Sequence, residues 1–167
     1  MRNSQADIFD KFTKLLSVSK MNDEIERLQR CLGCSKLIDV RKKCLEYAFS
    51  DKVRKQDRMF PLFAFGEAGP EAKRELWNFL KPKIECYHKE GSIEKEFATS
   101  SHFGRILENT IDSFVTKENF VEVTQMFINC PKPCISKKKQ ASERIYQNIM
   151  IIKNEGNSMI EYFSKPS

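Results

Sequence analysis

The stretch FGRILENTIDSF places Phe103, Ile106, Leu107, Thr110, Ile111 and Phe114 three or four residues apart. That spacing returns to one side of a helix at every turn and builds a single apolar stripe. The same period recurs upstream and downstream. Ile8, Phe12, Leu15 and Leu16 share one face; Ile25, Leu28 and Leu32 a second; Leu37, Val40, Cys44 and Ala48 a third. Later come Leu76, Phe79, Leu80, Ile84 and Tyr87, then Phe120, Val123 and Phe127, then Ile145, Ile149 and Ile152. No segment alternates apolar and polar residues convincingly. A chain patterned this way can bury its stripes only by packing helix on helix.

Punctuation residues set the expected boundaries. Gly33 should close the second helix in the left-handed conformation that glycine tolerates. Ser50 or Asp51 should cap the next helix start. Pro61 lies near the middle of an apolar element, Met59 to Phe65, and should kink or shorten it. Gly66 to Gly69 reads as a loop, after which Pro70 fits a first helical turn. Pro82 predicts a bend or break near Phe79, and Gly91–Ser92 marks the next punctuation. Thr116 should cap the helix of Phe120, and Cys130–Pro131–Lys132–Pro133 reads as a loop. The last helix should break near Gly156, with Ile160 and Phe163 packing beyond. About eight helices with short connections result, an all-α chain expected to form one domain over 1–167. A compact bundle and a stacked array of helix pairs both fit.

The charge pattern narrows the partners. Lysine and arginine number 29 against 23 aspartates and glutamates, a net charge of +6, but the signs interleave along the chain. Like-charge runs are short, Lys137–Lys138–Lys139 among them. Solvated helix faces explain this better than a polyanion surface, so no nucleic-acid partner is expected. No apolar run approaches the ~20 residues that span a bilayer, so no membrane partner is expected either. The opening residues MRNSQADIFDKF carry no apolar signal core.

Chemistry-bearing residues are sparse. The two histidines, His88 and His102, do not form His-Glu-x-x-His, and neither a nucleophile elbow nor a phosphate-binding loop occurs. A self-contained active site is therefore not expected. Six cysteines are present. Cys31 with Cys34 and Cys130 with Cys134 are spaced as thiolate metal pairs or redox pairs, although the two pairs lie far apart in sequence. Cys44 and Cys86 occupy apolar helical positions, where a thiol acts as a small hydrophobe. The chain lacks an Asn-x-Ser/Thr acceptor, which fits a reducing compartment.

Four ordered segments carry a family resemblance. AFSDKVRKQD resembles the A-(L/F)-S-(D/E)-x-V-R-x-Q-D segment in the C-terminal helical domain of puromycin-sensitive-type zinc aminopeptidases, within the aminopeptidase N family. KRELWNFLKPK, SSHFGRILENTIDSFVTKENFVEVTQMFINCP and SERIYQNIMIIKNEGNSMIEYF resemble later segments of that domain, in the same order. Asp51, Val53, Gln56, Asp57, Trp77 and Phe79 stand at signature positions, with packing the expected task of Trp77. Pro82, Ile84, Phe103 and Gly104 depart from the family pattern. The zinc ligands and the Gly-x-Met-Glu-Asn substrate motif have no counterpart here.

The resemblance implies antiparallel helix pairs stacked as a short curved solenoid of the armadillo or HEAT kind. It implies a noncatalytic domain that walls the substrate cavity and gates or contacts peptides, with zinc held in the parent enzyme's catalytic domain and no cofactor in this chain. The implied partners are that catalytic domain and peptide substrates. A stand-alone adaptor derived from the same family is the alternative. Arg54 and Arg105 match family positions and are the candidates for a peptide's carboxylate, against internal pairing with Asp51, Asp57 or Glu108. The resemblance also implies a cytoplasmic location, with the endoplasmic-reticulum lumen or cell surface as the alternative. Self-association is expected if apolar interface is left uncovered.

Overall fold

The computed structural model describes residues 3–85, 102–129 and 135–164. Among these are eight α-helices and no strand: α1 (Asn3–Val18), α2 (Asn22–Gly33), α3 (Ile38–Ala48), α4 (Met59–Glu67), α5 (Pro70–Glu85), α6 (Phe103–Ile111), α7 (Lys117–Met126) and α8 (Ile135–Phe163). Short 3-10 turns occupy Lys55–Asp57 and Phe127–Asn129. The chain is all-α, as the periodicity required. Gly91–Ser92, the Cys130–Pro133 loop, Tyr87, Cys86, His88, Cys130 and Cys134 lie outside the described residues, as does the Phe163 side chain.

The helices pack as two rows. α1, α3, α5 and α7 touch in succession, and so do α2, α4, α6 and α8. Most sequential neighbours also touch, so most helices meet both the next and the next but one. A continuous core runs between the rows from Leu32 and Val40 to Ala141 and Ile145. Trp77 on α5 is fully buried near its middle, its ring edge-on to Phe114 at 5.6 Å. That geometry suits the aromatic quadrupole.

The apolar stripe of α6 is buried in full: Phe103, Ile106, Leu107, Thr110 and Ile111, with Phe114 just beyond. Thr110 is tolerated because its hydroxyl donates to the carbonyl of Ile106 at 2.6 Å. The Asn148 amide on α8 donates to the carbonyls of Asp112 and Phe114, at 2.9 and 3.1 Å, satisfying acceptors just past the end of α6. Thr116 caps α7 as expected, accepting from the Asn119 amide at 3.2 Å.

Several local expectations are corrected. α1 turns Phe9, Phe12 and Leu16 toward the core, while Ile8 and Leu15 stay largely exposed. α2 does end at Gly33, but Cys34 takes φ −78° and glycine's conformational freedom is not used there. Space is what Gly33 supplies. A Cβ on it would stand 2.2 Å from the Pro61 carbonyl oxygen and 2.7 Å from the Ala64 Cβ, so its absence lets α2 and α4 approach closely.

Neither Ser50 nor Asp51 caps α4. Ser50 instead donates to the Tyr47 carbonyl at 2.7 Å and closes a turn. Pro61 is the third residue of α4, where its missing N–H would have had no intrahelical partner, and no break follows. Gly66 lies within that helix, and only Gly69, at φ 105°, takes a positive backbone angle among the described residues. α5 runs unbroken through Pro82 to Glu85, and α8 runs unbroken through Gly156. Ile152 and Ile160 are exposed, not packed.

Candidate functional site

The row α2–α4–α6–α8 carries a cleft of about 730 Å³. That size suits a small ligand or a few residues of peptide. α6 supplies one wall. With Phe103, Ile106, Leu107 and Ile111 turned to the core, Arg105, Glu108, Asn109 and Asp112 fall on other faces of the same helix and line the cleft. α4 supplies the apolar floor, Met59 and Phe63, and α8 contributes Ala141 and Arg144. Arg30 on α2 and Glu67 on α4 also line it.

The groups around the cleft are held in place by neighbours. The Arg105 guanidinium carbon sits 5.4 Å from the centre of the Phe63 ring, a cation–π contact. The Asn109 amide donates to the Phe63 carbonyl at 3.2 Å. It does so across Gly66, where any Cβ would fall 1.7 Å from the Asn109 nitrogen. Asp112 pairs with Lys73 on α5. Arg30 pairs with Glu26 at 2.9 Å and lies 5.7 Å from the centre of the Phe60 ring.

The two arginines singled out in the sequence part company. Arg105 lines the cleft. Arg54 does not; its Nε donates to Asp57 Oδ2 at 2.6 Å and its Nη2 to Asn22 Oδ1 at 3.0 Å. Of the signature positions, Val53, Asp57 and Trp77 are buried and Phe79 is half-buried, edge-on to Phe49 at 5.4 Å. Asp51 and Gln56 are exposed. Phe63, Asn109 and Arg144 were not singled out beforehand. Arg105, Glu108, Asn109 and Asp112 recur at the helical period opposite the best apolar stripe, a signal that was available.

Two ionic arrangements brace the other row, joining α3 to α5 and α5 to α7. Arg41 on α3 grips Glu75 on α5 with both arms, at 2.8 and 2.7 Å, and also donates to the Ser35 carbonyl at 3.0 Å. The hydrogen bonds from Arg41 hold the Glu75 carboxyl below the ordinary range, against a smaller opposing effect of burial. Glu122 on α7 receives Arg74 at 2.9 Å and Lys81 at 3.2 Å, both from α5. Burial opposes ionisation of Glu122, but the Trp77 indole, Lys81 and Arg74 together outweigh it and lower its pKa.

The cleft sets Arg30, Arg105 and Arg144 against Glu67, Glu108 and Asp112, with the Asn109 amide between α4 and α6 and an apolar floor. Among the described residues no three of histidine, cysteine, aspartate and glutamate converge as metal ligands. With no His-Glu-x-x-His in the sequence, these residues do not fit a catalytic zinc. Among the described residues no helix is long and apolar enough to cross a membrane.

The model of the ERAP1-like C-terminal domain family matches residues 1–148. Three rice (Oryza sativa subsp. japonica) proteins are similar. Aminopeptidase M1-C is 28% identical over 152 residues, 89% of this chain and 16% of the relative. Aminopeptidase M1-B is 25% identical over 138 residues, 80% of this chain and 15% of the relative. Aminopeptidase M1-D is 25% identical over 154 residues, 90% of this chain and 16% of the relative. The chain thus spans about one-sixth of the length of these relatives.

Proposed function

The chain belongs to the ERAP1-like C-terminal domain family, and from that premise we propose that it is a noncatalytic helical wall of a zinc aminopeptidase's substrate cavity. In this reading the two rows form a short curved solenoid of the armadillo or HEAT kind, acting as one domain. The row α2–α4–α6–α8 faces the peptide, and the chain partners a catalytic domain that carries the zinc and the bond cleavage. The observation that supports it most directly is Arg105, stacked on Phe63 inside a peptide-sized cleft.

Arg105 contacts the peptide's carboxylate through charge-assisted hydrogen bonds, while Met59 and Phe63 pack its side chains. Arg54 braces the fold through Asp57. A reducing cytoplasm is the working location in this reading, following from the family likeness.

Fluorescence anisotropy with the full chain tests the reading, using matched peptides that end in a free carboxylate or an amide. The carboxylate form should bind about tenfold tighter, the worth of one hydrogen bond to a charged group. Arg105→Ala should erase that difference. Equal binding of the two peptides, or binding of neither at millimolar concentration, overturns the role given to the cleft.

A further inference from the structure

Cys31 and Cys34 lie one helical turn apart where α2 ends, and the peptide-binding reading makes no use of them. Both are exposed, whereas Cys44 is fully buried. Cys34 is the first residue past the helix, at φ −78° and ψ 0°, so no further helical turn holds it. Side chains three residues apart on a helix have Cβ atoms about 5–6 Å apart. A disulfide needs about 3.5–4.5 Å, so closure asks the last turn to tighten by roughly one ångström. Helix ends accommodate that readily, because their carbonyls already bond in tighter patterns. Here the Ser35 amide reaches the Leu32 carbonyl at 3.5 Å, three residues back, just after the Cys34 amide has made the last ordinary helical bond to Arg30 at 3.0 Å.

The pair adjoins the cleft. The Cys34 thiol donates to the Ala64 carbonyl at 3.6 Å and lies 3.9 Å from Glu67 Oε2. Glu67 lines the cleft, as does Arg30, the residue before Cys31.

We propose that Cys31 and Cys34 are a reversible dithiol–disulfide site at the α2 edge of the cleft, closed by a small disulfide oxidant such as oxidised glutathione. The Cys31 thiolate attacks one glutathione sulfur, the oxidant's S–S bond breaks, and one glutathione leaves. Cys34 gives its proton to solvent and attacks the Cys31 sulfur, forming the internal bond and releasing the second glutathione. Two protein thiols and one oxidant disulfide thus become one protein disulfide and two glutathiones. Cys31 attacks first because burial, then Glu67 and Cys31, raise the Cys34 pKa against the lowering effect of Arg30. Closure draws Cys34 toward Cys31 and withdraws its thiol from Ala64 and Glu67.

The sequence makes the test direct. Trypsin cuts after Arg30 and Lys36, so residues 31–36 form a peptide holding both thiols and no other cysteine. The full chain is equilibrated in glutathione buffers from reducing to oxidising, quenched with acid, alkylated and digested. The peptide should shift in one transition from dialkylated to unalkylated with the loss of two hydrogens, and dithiothreitol should reverse it. Cys34→Ser should instead accumulate a glutathione adduct on Cys31. A peptide that stays dialkylated throughout overturns the proposal, as does wild-type Cys31 that keeps glutathione without closing. None of these outcomes depends on peptide binding.

Discussion

Arg54 holds Asp57, three residues ahead, at 2.6 Å, and the same guanidinium reaches Asn22 at the start of α2. The Arg54 side chain is 55% exposed and that of Asp57 only 7%. The pair therefore compensates a buried carboxylate and ties the segment before α4 to the start of α2. Within SDKVRKQD, Val53 is buried beside it. The segment works as a clamp.

Arg54→Ala should then destabilise the fold and spare the cleft. With one partner largely solvated, the cost is about 1 kcal/mol, read as a lowered urea midpoint. Arg105→Ala should do the reverse, leaving stability within about 0.5 kcal/mol while weakening carboxylate peptides. Equal behaviour of the two variants in both assays would contradict the division of roles.

Glycine substitutions should separate close approach from helix propensity. Gly33→Ala forces a methyl into the Pro61 carbonyl and should cost about 1–3 kcal/mol, as overpacking does. Gly156→Ala meets nothing nearer than the Ile152 Cγ2 at 3.7 Å. It should gain up to about 1 kcal/mol or raise helicity, because alanine favours the helix interior. Thermal melts followed by circular dichroism distinguish the two signs.

The Arg41–Glu75 pair should show as acid sensitivity. Glu75 titrates below its ordinary value of 4.5 in the folded chain. Its stabilisation is therefore complete above about pH 4.5, where the unfolded carboxyl is also ionised, and is lost as pH falls through the lower folded value. Glu75→Gln should flatten that part of the stability profile and cost about 2 kcal/mol at neutral pH, since Arg41 is left buried with a weaker partner. An unchanged profile between pH 5 and 2.5 would show that the pair contributes nothing.

Helix capping should matter at one of two candidate positions. Thr116→Ala removes the side-chain acceptor for the Asn119 amide and should cost about 1 kcal/mol. Ser50→Ala removes only a turn contact and should cost less than about 0.5 kcal/mol. Chemical denaturation of the two variants in parallel checks the ranking.

Cys44 should resist alkylation in the native chain. Burial pushes its pKa up to about 12, so little thiolate exists at pH 8 and none of it is exposed. Iodoacetamide footprinting should label Cys31 at least tenfold faster, a gap that denaturant should close. Comparable native rates would show that α3 opens readily at this position.

The helical period at residues 103–114 placed every buried position of α6 except Gly104, because a stripe that long can satisfy only one face. It was ambiguous for α1, where Ile8 and Phe9 adjoin, and only the packing of Phe9 against Tyr47, ring centres 6.2 Å apart, selects the face. Proline and glycine were read by their local backbone effects and misread at Pro61, Pro82 and Gly156. Pro61 sits where no N–H is needed, and the surrounding packing decides whether a helix continues through the other two. The cleft was harder still. Its residues come from four helices that are distant in sequence, and polar residues on an exposed face carry no mark of whether that face meets solvent or a neighbour.

By itself the sequence determined the all-α class, most helix positions, most of the buried stripes and the family, because these depend on spacing and order along one chain. Tertiary structure alone decided that α2 and α4 meet across Gly33, that Arg54 is absorbed by Asp57, and that Arg105 faces a cleft. Those outcomes depend on which helices become neighbours, and neighbours are set by the simultaneous fit of many side chains across the core. The charged stretch at residues 51–57 shows both levels. Its order identifies the family, and its fold turns an apparent anion site into a clamp.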